Sequence, residues 1–417
     1  MEALAFIRRQ LFTYLPVPTK SYAGKIDIVT GSNVDLDKEA AEHYARLGAE
    51  TVIVAVYSLE KGEAARSAII KKKDSTASLA ARSLLFPERP TKLPRIDVLL
   101  KNVAITTSNL KLVKGYESTI TTKPAYIHSP GQGKTLVDVN AQLVDSAVLA
   151  LKALSPRLEH ITLQTGGKVY GIEHFPKVPI PPTPWKESLP RVQDPSIASQ
   201  IFYYRQVDIL AAHARGSSWK WTEIRPDAIV GFAPTSTAMN IALPLGVFLA
   251  LWRAVHGSGA TIPFPGPRAA YERTHTETPM GATARFQIFA SLRGGETHAQ
   301  AYNIGTPPSS YAHKWPLLAG QFGLVGAPPA ADEGIDVAAW VSAHRVEWEV
   351  LEKEHGLKAG VVEKVGWDFL VILTIPVDRE YDTSKARELG FREEMDLMAA
   401  YKEAWGLMAA SKLLPPA

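Results

Sequence analysis

The chain has 417 residues, of which 46% are hydrophobic, and a formal net charge of +4. It contains no cysteine, which excludes disulfides, thiolate metal sites and cysteine nucleophiles. This length predicts one large domain or two, with ample apolar residues for a core. The small positive charge forms no basic stripe, and the lysine run at 71–73 is typical of a solvated helix face or loop, so we predict no nucleic-acid partner.

Residues 1–22 predict an arm over the domain surface rather than a secretory signal. Arg8 and Arg9 follow an apolar stretch, whereas in a secretory signal the positive charge comes first. Residues 241–252 are wholly apolar, but a helix that spans a bilayer needs about 20 such residues. We therefore expect a pocket-lining or core helix there, no stable membrane insertion, and a cytoplasmic protein, with membrane association as the alternative.

The first third of the chain predicts alternating strands and helices. A strand ends at Thr30, a helical stretch runs to Leu47, and an apolar run at 51–56 predicts a second strand. A further strand is expected within 95–105, but no clear third strand is evident between residues 64 and 93. We predict an α/β fold, a doubly wound parallel sheet with a smaller C-terminal mixed lobe.

The turn after the first strand resembles the nucleotide loop of a short-chain dehydrogenase, and 95–105 resembles the fourth strand of that superfamily. Such a loop carries glycine where the backbone turns tightly and where the pyrophosphate approaches the helix N-terminus. Gly31 is kept, but Asp35 and Asp37 stand where the Thr-Gly-x-x-x-Gly-x-Gly pattern has its second and third glycines. Two carboxylates there would repel a diphosphate, and helix capping accounts for only one of them. The resemblance thus implies NADP(H) as cofactor, with loss of nucleotide binding as the alternative.

Two short motifs in the middle of the chain predict an active site: Leu163-Gln164-Thr165-Gly166-Gly167-Lys168 and Phe202-Tyr203-Tyr204. A phenol has an unperturbed pKa of about 10, and a nearby ammonium stabilises its phenolate, which makes it a useful proton donor near neutral pH. Lys168 and Tyr203 lie 35 positions apart, so they would have to converge from a strand end and a later helix start. The alternative is a solvated loop lysine and two packing tyrosines.

From about residue 137 onward the chain resembles the progesterone 5β-reductase and iridoid synthase family, an atypical branch of the short-chain dehydrogenase/reductases that reduces enones. The resemblance runs through both motifs and continues through 225–232, 264–266, 301–304 and 367–369. It implies that Tyr203 and Lys168 are catalytic and that Tyr204 is a structural neighbour. Val169 and Ile201 depart from the family, which has histidine and asparagine at these positions.

The two resemblances imply one nucleotide-binding sheet, with a junction between residues 116 and 137. They imply a set of cofactor-binding residues, which are Thr30, Gly31, Ser32, Asn33, Val34, Tyr57, Asn102, Arg225 and Ile229. We predict an N-terminal arm (1–22), a Rossmann-like nucleotide-binding domain (23–235) and a substrate-binding lobe (236–417) with elements that return to the core.

The rest of the chain predicts a smaller lobe and an extended segment that precedes it. The proline-rich stretch 176–190 indicates an extended surface segment. Further on we expect a short strand at 302–304 and helices at 315–322 and 336–355. The candidates for an apolar substrate wall are Phe232, Met239, Trp367 and Phe369, with plain core packing as the alternative.

Other catalytic schemes lack support in the sequence. The eleven histidines have no metal-ligand spacing, so we predict no metal and expect surface or core roles for His275 and His298. No Gly-x-Ser-x-Gly motif supports serine hydrolysis. The Gly-Lys-Thr at 133–135 is not a P-loop, because His128 stands where the first glycine of that motif belongs.

Two functions from different classes follow. The first is an NADPH-dependent reductase of an enone or ketone in an apolar small molecule of secondary metabolism, with Tyr203 donating at the oxygen and Lys168 holding the phenol acidic. The second is a cofactor-independent cyclase or isomerase that keeps this pair but has lost nucleotide binding through Asp35 and Asp37. A catalytically dead product of gene rearrangement is a third alternative. The sequence is compatible with a homodimer.

Overall fold

The computed structural model describes residues 26–30, 35–49, 51–56, 63–64, 67, 69, 78–83, 98–101, 104–105, 126–127, 135–154, 158–232 and 240–416. The predicted N-terminal arm and the lysine run at 71–73 lie outside the described residues. So do six of the predicted site positions and one more at the substrate wall, namely residues 31–34, Tyr57, Asn102 and Met239.

A parallel sheet of seven strands forms the centre of the described structure. The strands along the chain are β1 (Ile26–Thr30), β2 (Thr51–Val56), β3 (Ser78–Ser83), β4 (Val98–Lys101), β5 (Ala104–Ile105), β6 (Tyr126–Ile127), β7 (His160–Gln164), β8 (Lys220–Pro226), β9 (Ala228–Val230), β10 (Thr261–Pro263), β11 (Thr274–His275), β12 (Glu277–Pro279), β13 (Gln300–Ile304), β14 (Ser309–Ser310) and β15 (Val325–Ala327). The sheet order is β13-β8-β7-β4-β1-β2-β3. This order confirms the predicted Rossmann-like sheet, whose direction of winding reverses between β1 and β4.

The third strand of the sheet, which was not evident in the sequence, is β3. It pairs in parallel with β2, from Thr51 opposite Ser78 to Val56 opposite Ser83. Its sequence Ser-Leu-Ala-Ala-Arg-Ser has no run of large apolar residues. The strand therefore lacks the pattern by which a buried parallel strand is predicted.

Helices cover both faces of the sheet. They are α1 (Asp35–Arg46), α2 (Leu136–Leu154), α3 (Pro195–Ala198), α4 (Phe202–Ala214), α5 (Ala242–His256), α6 (Arg268–Tyr271), α7 (Met280–Leu292), α8 (Gly294–Thr297), α9 (Tyr311–Gly320), α10 (Val337–Ala343), α11 (Arg345–His355), α12 (Val361–Lys364), α13 (Ser384–Glu388) and α14 (Leu397–Ala410). The helices α2 and α4 pack on the face that carries Leu163 and Trp221. The helix α7 covers the opposite face, where its Phe286 meets Ile224, and packs on α1.

The largest apolar cluster lies beside the sheet, around α5. Residues 242–251 of this helix are all buried, which confirms the predicted core helix. Three tryptophans from α9, α11 and α14 belong to the same cluster: Trp315, Trp348 and Trp405. Among the described helices, none is long and apolar enough to cross a membrane.

Two predicted helices of the C-terminal lobe have different bounds in the structure. The helix α9 begins at Tyr311 instead of 315, because the Ser310 side chain accepts a hydrogen bond from the His313 amide and caps it. The segment predicted as helix at 336–355 forms two helices, α10 and α11, that meet at His344. The strand predicted at 302–304 is β13, which returns to the edge of the central sheet.

The proline-rich segment is not purely a surface segment, which corrects the prediction. Trp185 is fully buried there, with ring centres 5.0 Å from Tyr170 and 5.8 Å from Tyr381. Its amide donates to the Glu380 carbonyl (2.7 Å) and its carbonyl accepts from the Asp382 amide (2.8 Å). The prolines indicated exposure, but one tryptophan anchors the segment against the turn that follows β7.

Candidate active site

The turn after β7 carries the predicted catalytic lysine. The chain leaves β7 at Gln164, passes Thr165 and enters a 3-10 turn at Gly167–Tyr170 that contains Lys168. The Thr165 hydroxyl donates to the Glu223 carboxylate (2.6 Å) and its amide donates to the Ile224 carbonyl (2.8 Å). These bonds tie the turn to β8 at the carboxyl end of the sheet, where Rossmann folds bind ligands.

The first turn of α4 meets this segment, so a strand end and a later helix start lie together. A Cβ atom on Gly166 would lie 3.8 Å from the Tyr203 hydroxyl and 3.2 Å from the Pro226 carbonyl oxygen. The Tyr204 hydroxyl donates to the Val169 carbonyl (2.6 Å) and accepts from the Val192 amide (3.0 Å). Tyr204 therefore has a structural task, whereas the Tyr203 hydroxyl faces the glycine that precedes the lysine turn.

The Lys168 ammonium lies on the surface of this turn, near the first residue of α4. It is 2.6 Å from the Glu173 carboxylate and 5.7 Å from the centre of the Phe202 ring. The strand end and the helix start thus bring Tyr203 and Lys168 into one region. Their catalytic roles stay a prediction.

Three groups around Gly167 were not found from the sequence as site residues: Asp227, Arg379 and Tyr381. A Cβ atom on Gly167 would lie 2.6 Å from the Tyr381 hydroxyl and 3.5 Å from Asp227, so only glycine fits there. Arg379 donates to both Asp227 oxygens at 3.1 Å. Burial raises the pKa of Asp227 to about 6, although Arg379 opposes this. No local motif signals these contacts, because Arg379 and Tyr381 come from the far end of the chain.

Arg225, which was predicted to bind the cofactor, forms hydrogen bonds with other side chains of the protein. Its guanidinium donates to both Glu223 oxygens (3.0 and 2.8 Å) and approaches the Tyr170 hydroxyl at 3.4 Å. Tyr170 in turn donates to the Asn303 side chain (2.6 Å), and burial raises the pKa of Tyr170 to about 12. Arg225 also lines an open groove of about 530 Å³ together with Glu187. A direct cofactor contact of Arg225 stays a prediction.

The end of β1 and the start of α1 form the part of the site where a nucleotide could bind. The strand β1 ends at Thr30 and α1 begins at Asp35, next to the point where the winding of the sheet reverses. A parallel strand followed after four residues by a helix at this place fits a dinucleotide, because the helix N-terminus attracts its phosphates. Asp35 and Asp37 are the first and third residues of α1. Ile229 lies half-buried on β9, beside Thr278 of β12.

The predicted substrate wall packs against the large cluster around α5. Phe232, Trp367 and Phe369 are half-buried against it. The Trp367 indole donates to the Val362 carbonyl (3.0 Å), which fixes its ring. Both interpretations, a substrate wall and core packing, are compatible with these positions.

A buried charged network lies between β11, β12 and α9. Lys314 and Glu277 are almost fully enclosed and lie 2.8 Å apart, and His275 contacts both. Of the surface or core role predicted for His275, the structure shows the core role, because the side chain is buried. In the described part of the chain no group of three or more histidine or carboxylate side chains could hold a metal ion.

The network predicts an acid-sensitive fold. Burial, followed by Lys314, lowers the pKa of His275 from 6.5 to about 3. Burial alone would raise the pKa of Glu277, but Lys314 and His275 lower it from 4.5 to about 2. At both sites the unfolded chain binds more protons than the folded protein, so stability falls as the pH falls, from about 6.5 for His275 and from about 4.5 for Glu277. Urea midpoints measured across this range check it. His275→Gln should reduce the decline at the higher pH without abolishing it, because burial also lowers the pKa of His160 to about 3. An unchanged decline in that variant contradicts the assignment.

A parallel sheet in this order, with a Thr-Gly-Gly-Lys turn after β7 that meets Tyr203 of α4, defines a short-chain dehydrogenase/reductase. Proteins of this class are NAD(P)H-dependent oxidoreductases. The PRISE-like Rossmann-fold domain matches residues 110–415, and the chain belongs to that family.

Comparison with known proteins agrees with this assignment. The short chain dehydrogenase ausT of Aspergillus calidoustus is 32% identical over 293 residues, which are 69% of this chain and 71% of that protein. The 3-oxo-Delta(4,5)-steroid 5-beta-reductase of Arabidopsis thaliana is 29% identical over 259 residues, 61% of this chain and 64% of that protein. The solved terminal R domain of the myxalamid PKS-NRPS pathway superposes with a TM-score of 0.56 at 14% identity, covering 97% of this chain and 95% of that one. At this identity the last comparison supports the fold alone.

Proposed function

We propose that the protein is an NADPH-dependent reductase of an enone or ketone in an apolar small molecule of secondary metabolism. The observation that carries the proposal is the meeting of Tyr203 with the Lys168 turn at the carboxyl end of β7. Membership of the PRISE family supports it, and the name of the Arabidopsis relative states the reduction of a 3-oxo-Delta(4,5)-steroid.

The residues of the chain take distinct parts in this reaction. When bound, the nicotinamide cofactor supplies a hydride to a substrate carbon. The Tyr203 hydroxyl donates to the substrate oxygen, on which negative charge develops, and the Lys168 ammonium stabilises the resulting phenolate. The end of β1 at Thr30 and the start of α1 would hold the diphosphate. Phe232, Trp367 and Phe369 would supply the apolar wall for the substrate.

A calorimetric titration with NADPH, and separately with NADH, tests the cofactor. We expect micromolar binding of NADPH, and we expect the double variant Asp35→Gly/Asp37→Gly to bind at least about tenfold more tightly, since about 1.4 kcal/mol of charge repulsion is removed. Glu347→Gln is the matched control, because it removes an acid from the first turn of α11 in the other lobe and should leave the affinity unchanged. Equal affinity of the double variant and the unmodified protein would show that the two aspartates do not face the diphosphate.

The cofactor-free cyclase or isomerase is the second candidate, and the position of Asp35 and Asp37 in the first turn of α1 favours it. It predicts a folded protein without measurable affinity for either nucleotide. It also predicts that conversion of its substrate depends on Tyr203. Nucleotide binding by the unmodified protein contradicts this candidate.

A further inference from the structure

The lysine turn folds back on itself within eight residues. The 3-10 turns Gly167–Tyr170 and Ile172–His174 are joined by Gly171, whose φ of +83° is a left-handed conformation that favours glycine. A Cβ atom on Gly171 would also lie 2.9 Å from the Val192 side chain. This reversal returns the chain over Lys168 and places the Glu173 carboxylate 2.6 Å from its ammonium.

The ion pair is shielded but reachable by solvent. The Lys168 and Glu173 side chains are 24% and 30% exposed. The second Glu173 oxygen lies 3.7 Å from the His174 ring nitrogen Nε2, so a protonated His174 would add a positive charge. From the other elements around the turn, Tyr203 of α4 faces Gly166, while Asp227 and Tyr381 face Gly167.

One charged pair faces the turn from other elements. Asp227 is paired with Arg379 through two contacts of 3.1 Å, so this neighbouring pair adds little net field at Lys168. Glu173 meets the ammonium directly and carries the opposite charge. It therefore restrains the position of the ammonium and reduces the positive field that Lys168 can exert on the phenol of Tyr203.

We propose that Glu173 is a positioning residue that holds Lys168 and sets the pH at which the Tyr203 phenol ionises. The proposal deepens the proposed function, on which it rests, and concerns a residue outside the Thr-Gly-x-Lys and Phe-Tyr-Tyr motifs. Removing the carboxylate charge takes away a negative charge 2.6 Å from the ammonium, which favours the phenolate. For a charge of this proximity, partly screened by solvent, we expect Tyr203 to ionise at a pH lower by about half to one pH unit.

Carbon NMR of the full chain labelled at the tyrosine hydroxyl-bearing ring carbon tests this without substrate or cofactor. The Tyr203 signal is identified by its loss in Tyr203→Phe. In Glu173→Gln it should titrate at lower pH than in the unmodified protein, and in Lys168→Met at higher pH. Glu173→Asp, which keeps the charge, should restore much of the original value. His174→Gln separates the contribution of the histidine.

A matched control is Glu363→Gln, because Glu363 pairs with Arg345 at 2.9 Å in the other lobe and its removal should leave the titration unchanged. The inference is overturned if Tyr203 titrates alike in Glu173→Gln and in the unmodified protein, or shows no titration in either while the fold persists. If the titration shifts but NADPH neither binds in calorimetry nor is consumed with any member of a panel of apolar enones and ketones, the reductase proposal fails and the pairing stands. If NADPH is consumed and the titration is unmoved, only the role of Glu173 fails.

Discussion

Replacing Tyr203 by phenylalanine is expected to lower kcat for the reduction by about 100-fold to 10,000-fold, the usual contribution of a positioned general acid. The ring stays in place, so the packing of α4 against the lysine turn is kept and only the hydroxyl that faces Gly166 is lost. The measurement is the rate of NADPH oxidation with an enone substrate at saturating concentrations. Lys168→Met should lower the same rate, because the phenolate loses its stabilising charge.

The matched control is the neighbouring tyrosine. Tyr204→Phe removes the hydrogen bonds of its hydroxyl with the Val169 carbonyl and the Val192 amide. It should therefore lower the free energy of unfolding by about 1–3 kcal/mol with a much smaller effect on kcat. A Tyr203→Phe variant with undiminished kcat would contradict its role as the proton donor. An equal loss of kcat in the two variants would indicate that both act through the fold of the turn.

Breaking the buried ion pair of the C-terminal lobe is expected to cause a large loss of stability. Lys314→Met removes the partner 2.8 Å from Glu277 and leaves a carboxylate enclosed by protein without its main counter-charge. Loss of one partner of such a pair costs about 3–5 kcal/mol. This is a large share of the roughly 5–15 kcal/mol that stabilises a typical protein, so urea unfolding should show a clearly lower midpoint.

The double variant Lys314→Met/Glu277→Gln distinguishes a charge effect from a packing effect. With both charges removed, much of the lost stability should return, because no unpaired charge stays buried. If the double variant is as unstable as the sum of its single variants, the two side chains act independently and the ion pair does not carry the effect.

The parts of the fold with strong local patterns were predictable. The strand β2 and the helix α5 could be predicted because each contains a continuous apolar run in the sequence. The start of α4 could be placed because Phe202-Tyr203-Tyr204 resembles a family motif. A Tyr203–Lys168 pair required a strand end and a later helix start to converge, and the structure brings these two segments together. In contrast, β3 has no large apolar run, and its place is decided by pairing with β2.

The parts that depend on contacts distant in sequence were missed. Proline content suggested exposure for 176–190, but the burial of Trp185 depends on Tyr170 and Tyr381, which no local pattern brings near. The Asp227–Arg379 pair joins residues from distant parts of the chain for the same reason. The Lys168–Glu173 pair is local, yet it requires the left-handed turn at Gly171 that composition alone does not reveal.

Transfer of labelled hydride tests the central claim most directly. The purified protein is incubated with an enone and NADPH that carries deuterium at the transferred position, and the product is analysed by mass spectrometry. We predict a reduced product with deuterium bound to carbon, formed by the unmodified protein and strongly diminished with Tyr203→Phe. A substrate that is converted without uptake of deuterium would contradict the reductase account and support the cofactor-free enzyme.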